Sequence, residues 1–94
     1  MEALFLESAL EDLVWWRHYY REVFPAGALN AGDALMRVVD GLKAMPRMGR
    51  PAGAADVLEF VIPRTPFSLI YRVEGESLLI LRVWDNRQAP KPGS

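Results

Sequence analysis

Val57-Leu-Glu-Phe-Val-Ile62, Phe67-Ser-Leu-Ile-Tyr-Arg-Val73 and Leu78-Leu-Ile-Leu-Arg-Val-Trp84 are three runs rich in β-branched and aromatic residues, each closed off by turn signals. Composition of this kind fits a pleated, half-buried surface, so all three read as strands. Pro63 and Pro66 bracket the first connection, and Glu74-Gly75-Glu76 makes the second as a tight hairpin. Short links between consecutive strands make them antiparallel neighbours.

Upstream of these runs the period changes. Residues 46–56 hold two Pro and two Gly and no periodicity, and read as loop. Before that loop, Leu35, Val38, Val39 and Leu42 are spaced as one face of a helix that ends before Pro46. A preceding helix is expected from about Ala9 to Phe24, with Leu10, Leu13, Trp16 or Arg17, Tyr20 and Phe24 along its inner face. Ser8 followed by Glu11 has the spacing of a capping box at its start. Pro25 and Gly27 separate the helices, and the short link predicts an antiparallel hairpin. Leu4-Phe5-Leu6 reads as a further strand. The order β-α-α-β-β-β predicts an α+β domain: an N-terminal strand and an α-helical hairpin packed on one face of an antiparallel sheet.

Composition bounds the function. The chain has 94 residues, 51% of them hydrophobic, no Cys and a single His. That is one domain, expected over residues 1–89 with a tail at 90–94. No disulfide or Cys-zinc framework is available, and no cluster of metal ligands exists, so neither metal nor cofactor is expected. The acidic start and the lack of a long apolar run predict a cytoplasmic protein with no membrane partner. The net charge of −1 argues against a general or sequence-specific nucleic-acid binder. The charge is polarised, however: residues 1–44 carry −3 and residues 45–94 carry +2.

Alternation along the strands places Leu79, Leu81 and Val83 toward the helices, and Ile70, Ile80, Trp84, Arg72 and Arg82 on the opposite face. An aromatic and Arg-rich exposed patch has the make-up of an interface, although Arg stems and single Ile or Trp residues also occur in ordinary sheet packing. Asp85, Asn86 and Arg87 extend the patch and read either as a protein or RNA recognition site or as a solvated strand end. The run Trp15-Trp16-Arg17-His18-Tyr19-Tyr20 reads as core at helical spacing, with a base-stacking platform as the alternative.

Several segments together resemble the ParE/RelE toxin superfamily. They are Leu42-Lys-Ala-Met-Pro46-Arg-Met-Gly49-Arg50-Pro51, Glu59 through Thr65-Pro66-Phe67-Ser-Leu-Ile70-Tyr71-Arg72-Val73, and Ile80-Leu81-Arg82-Val83 with Arg87-Gln88. The Ala9-Asp12-Leu13 start fits as well. The resemblance spans roughly residues 4–89 and implies a helical hairpin on a curved antiparallel sheet. It also implies the toxin of a type II toxin–antitoxin pair, held by a cognate antitoxin in a hetero-oligomer. RelE-like members cleave mRNA in the ribosomal A site, whereas ParE-like members act on DNA gyrase. Leu58, Ser68 and Asp85 stand where nuclease members often carry Arg, Arg and His, so the ParE-like branch is the nearer one. For that reading, Arg72, Arg82, Asp85, Asn86 and Arg87 are target-binding candidates. Trp15, Tyr19, Ile70, Ile80 and Trp84 are antitoxin-binding candidates, and no catalytic residue is assigned. The alternatives are an mRNA interferase using Arg64, Arg72, Arg82 and Arg87, or a non-toxic member that only binds antitoxin.

Overall fold

A computed structural model describes residues 1–88; the expected tail lies outside the described residues. Strand β1 (Glu2–Phe5) leads into helix α1 (Glu7–His18), which continues as a π-helical turn over Tyr19–Val23. A single 3₁₀ turn at Pro25–Gly27 precedes α2 (Ala28–Ala44). Strands β2 (Arg50–Pro51), β3 (Leu58–Val61), β4 (Phe67–Glu74) and β5 (Ser77–Asp85) follow. No helix among the described residues is long and apolar enough to cross a membrane.

The α+β architecture is the expected one. The sheet order is β1-β5-β4-β3-β2, with every neighbouring pair antiparallel except β1 and β5, which run parallel. The short β2 pairs Arg50 with Glu59 and Pro51 with Leu58, inside a segment that reads as loop. Directly paired residues share a face. Phe67, Leu69, Tyr71, Leu78, Ile80 and Val83 therefore form the covered side, packed with Ala9, Trp16, Val38, Val39 and Leu42 of the helices. Of the α2 stripe, Val38, Val39 and Leu42 are buried as the spacing predicts, and Leu35 is partly buried against them.

Four expectations are corrected. The register passes from Tyr71↔Ile80 directly to Ile70↔Arg82, which leaves Leu81 unpaired as a β-bulge. A bulge shifts the alternation by one residue, so Ile80 belongs to the covered core at 0% exposure, while Leu79 falls on the open face. Second, the inner face of α1 is built on Ala9 and Trp16, and Leu10 and Phe24 are about half exposed (53% and 48%). The wider π turn then turns two consecutive rings, Tyr19 and Tyr20, into the core beside Phe67. Third, Ser8 caps nothing: the helix starts two residues earlier than expected, at Glu7, and the Ser8 hydroxyl donates to the Leu81 carbonyl at 2.8 Å. Fourth, the sheet is mixed because β1 returns beside β5 in the same direction.

The quoted sequence motifs turn out to be joints. The Tyr71 hydroxyl donates to the Pro46 carbonyl at 2.9 Å and accepts from the Gly49 N–H at 2.9 Å, tying the Pro-rich loop to the middle of the sheet. Burial pushes the Tyr71 phenol pKa above its ordinary value. The Thr65 hydroxyl donates to the Ile62 carbonyl at 2.9 Å and accepts from the Phe67 N–H at 3.0 Å. That clasp holds the β3–β4 turn, in which Arg64 has a left-handed φ of 60°.

Candidate functional site

β1 pairs with β5 only as far as Ile80, so the second half of β5 would present an open edge. The first turns of α1 close it. Leu6 N–H donates to the Ile80 carbonyl, Ser8 bonds the Leu81 carbonyl, and the Asp12 carboxylate accepts the Val83 N–H at 2.9 Å. Asp12 also takes Arg82 in a two-pronged grip, Nε at 2.7 Å and Nη2 at 2.9 Å. This grip outweighs the opposing effect of partial burial and holds the Arg82 guanidinium pKa above its usual value. The Arg82 guanidinium then lies 4.9 Å over the Trp84 ring.

A second cluster continues the seam beyond the end of β5. Asp85 is 4% exposed and accepts from Arg87 Nε (2.9 Å), Arg87 Nη2 (2.7 Å), the Arg87 backbone N–H (3.0 Å) and Trp15 Nε1 (3.1 Å). Arg87 stacks over the Tyr19 ring at 4.5 Å and donates to its hydroxyl at 3.4 Å. Asn86 donates to Ser68 Oγ at 2.8 Å, which pins the chain as it leaves the sheet. The Arg87 side-chain bond is the largest cause that holds the Asp85 carboxyl pKa down to about 2. The same pairing raises the Arg87 pKa.

The sign of the linkage follows. A carboxyl depressed from 3.8 to about 2 contributes stability that is fully present above pH 3.8 and is lost as pH falls through its folded pKa. The contribution at neutral pH is about 2 kcal/mol. Urea unfolding of the wild type and Asp85→Asn between pH 5 and 2 reads it: the stability gap between them shrinks by about that amount as pH falls. A gap that stays constant across the window would contradict the assigned pairing.

The candidates thus divide. Arg82, Asp85, Asn86, Arg87, Trp15 and Tyr19 are brought together along one α1–β5 seam. Arg72 sits on the open sheet face beside Glu74 at 3.1 Å. Trp84 is half-buried on that same face, and its indole N–H is buried without an acceptor. Three antitoxin candidates offer a partner almost no surface: Tyr19 is 9% exposed, Ile70 2% and Ile80 0%. Sequence reasoning missed Asp12 as the anchor of Arg82. The signal was the charge split, because Asp12 belongs to the acidic half, Arg82 to the basic half, and the two halves meet at this seam.

The model of the ParE toxin of type II toxin–antitoxin systems matches residues 3–90 of the chain. Seven chains of solved structures match as well. One of them comes from the chromosomal ParDE TA system of P. aeruginosa. It is 31% identical, with 88% of this chain and 92% of that chain covered and a TM-score of 0.71. No curated protein matches. The match over nearly the whole chain, together with that structural likeness, places the chain in the ParE toxin family of type II toxin–antitoxin systems.

Proposed function

We infer that the chain acts on a protein target, DNA gyrase, without cutting RNA, and is silenced in the cytoplasm by a cognate antitoxin. The observation that supports this over an RNA-cleaving reading is that three of the four arginines such a reading would use, Arg72, Arg82 and Arg87, are already paired with carboxylates, while the fourth, Arg64, lies on the β3–β4 turn and not on a strand. Arg50, Arg72, Arg82 and Arg87 each lie within 3.3 Å of a carboxylate, from Glu59, Glu74, Asp12 and Asp85 respectively. Cleavage at a ribose 2′-OH needs a base of suitable pKa and an unpaired cation for the developing charge. Asp85, with a pKa of about 2, is a very weak base at neutral pH, and its own partner is Arg87.

Paired guanidinium groups still serve a protein interface. Arg87 keeps 51% of its side chain exposed and Arg82 33%, so each presents hydrogen-bonding edges in a fixed orientation. In this reading Arg72, Arg82, Asn86 and Arg87 contact the target and Asp85 positions Arg87. The antitoxin covers the exposed flank of Trp15 and the ring of Trp84. The nuclease reading is tested by toeprinting on translating ribosomes. The expected outcome is full-length extension with no added stop at the A site. Chain-dependent A-site cleavage would overturn the protein-target reading.

A further inference from the structure

The outer face of α1 is left to solvent. Ala9 and Trp16 turn into the core, while Leu10 and Val14 on the opposite side stand 53% and 69% exposed. Glu7, Leu10, Glu11 and Val14 are spaced i, i+3, i+4, i+7, and Val14, Arg17, His18 and Arg21 repeat that spacing, so all seven belong to one stripe. Every one of them is exposed. Among the described residues, the Glu7, Glu11 and Arg17 side chains make no hydrogen bond or ion pair. Arg21 pairs only with its neighbour Glu22, and both side chains are more than half exposed. Glu7 and Glu11 are like charges four residues apart, as are Arg17 and Arg21, a spacing that weakens a lone helix. The helix dipole favours acids early and bases late, but it gives no reason for two bulky apolar side chains exposed between them.

We propose that this face docks on the same face of a second copy of the chain, with the two α1 helices antiparallel about a two-fold axis through Val14. The charge order selects the occupant. A two-fold contact has to be complementary to itself, and this stripe is. Each residue meets the one equally far from Val14 on the other side: Glu11 meets Arg17, Glu7 meets Arg21, Leu10 meets His18, and Val14 meets its own copy. The His18 ring is stacked on Trp15 at 5.4 Å, which gives Leu10 of the second copy an ordered ring to pack on. A parallel arrangement would instead set Glu on Glu and Arg on Arg. A uniformly acidic or basic partner would suit one end of the stripe and be repelled by the other. The 12-residue α1 is about 18 Å long, so the contact falls short of the roughly 1,200 Å² of a stable interface. The dimer is therefore weak, half-formed at roughly 10–100 µM. The inference concerns the free chain and does not depend on which target it acts on.

Sedimentation equilibrium of the full chain alone, across about 5–500 µM, tests the contact. The wild type should pass from monomer to dimer over that range. Val14→Glu puts two like charges on the axis and should weaken dimerisation at least about tenfold. Glu7→Arg/Glu11→Arg makes the stripe wholly basic, and Arg17→Glu/Arg21→Glu makes it wholly acidic, so each should be monomeric by itself. Mixed in equal amounts, these two variants should form a heterodimer, because every opposed charge pair is again one Arg and one Glu. Circular dichroism confirms that each variant is folded. Should a charge variant fail to fold, Val14→Glu, at a position 69% exposed, carries the test with the wild type. A wild type that stays monomeric throughout would overturn the second copy as the occupant of this face. A wild-type dimer that persists unchanged in Val14→Glu would place the contact elsewhere and overturn the proposal. Folded charge variants that associate alone as well as they do together would contradict the antiparallel charge order and overturn it too.

Discussion

Gly49→Ala should lower the melting temperature by roughly 15–25 °C, because about 3–4 kcal/mol of close approach is concentrated at one hydrogen atom. An added Cβ would stand 2.5 Å from the Tyr71 hydroxyl oxygen and 2.7 Å from the Glu59 carbonyl oxygen. The second contact is backbone in β3, so a side-chain rotation does not relieve it. Tyr71 has no room to retreat either, being fully buried and hydrogen-bonded on both sides, to Gly49 N–H and the Pro46 carbonyl. The loop must lift, and in lifting it gives up the Tyr71 bonds and the pairing of Arg50 with Glu59. Thermal unfolding followed by circular dichroism decides this. A melting temperature within about 3 °C of wild type would show that the loop yields without cost, contrary to the packing described.

The second large effect is expected at Asp12. Its carboxylate serves the Arg82 fork and the Val83 N–H at once, and the pair is mostly shielded, with side chains 16% and 33% exposed. Asp12→Ala strands a partly buried cation and an edge-strand N–H together, at a cost of about 3 kcal/mol. Asp12→Asn keeps an acceptor for Val83 and loses the charge, so it should fall about midway. Chemical denaturation of Asp12→Ala, Arg82→Ala and the double variant isolates the pair. A coupling of at least ~1 kcal/mol is expected, and additive losses would contradict a direct interaction.

The pattern of what was legible in the chain follows from where the information resides. The α2 stripe and the β3–β4 and β4–β5 hairpins rest on local signals, namely spacing, prolines and the Glu74-Gly75-Glu76 turn, and they stand as read. Leu78-Leu-Ile-Leu81 holds four consecutive apolar residues with no polar residue to mark the phase. The bulge at Leu81 therefore left no trace, and with it went the placement of Ile80. Ser8 and Glu11 carry a helix-capping spacing, but the unpaired half of β5 supplied a stronger use for the hydroxyl once β1 ended at Phe5. Tyr19 and Tyr20 are both buried only because the helix widens there, which a regular 3.6-residue period does not anticipate.

The candidate site divides in the same way. Arg82, Asp85, Asn86 and Arg87 are close in sequence and were readable as a cluster. Asp12, Trp15 and Tyr19, which determine what those residues are able to do, lie about 70 positions away in sequence. Their pairing converts an apparently cationic strand into a neutralised, rigid seam. That conversion is the physical basis for reading the surface as one that binds protein.

The most direct measurement is DNA supercoiling by gyrase, with the purified chain titrated into the reaction and the products scored after detergent and protease treatment. Dose-dependent loss of supercoiling, with linear DNA released from trapped gyrase, is the predicted result, and stoichiometric antitoxin should restore activity. Unchanged supercoiling and no linear DNA at a large excess of folded chain would contradict gyrase as the target.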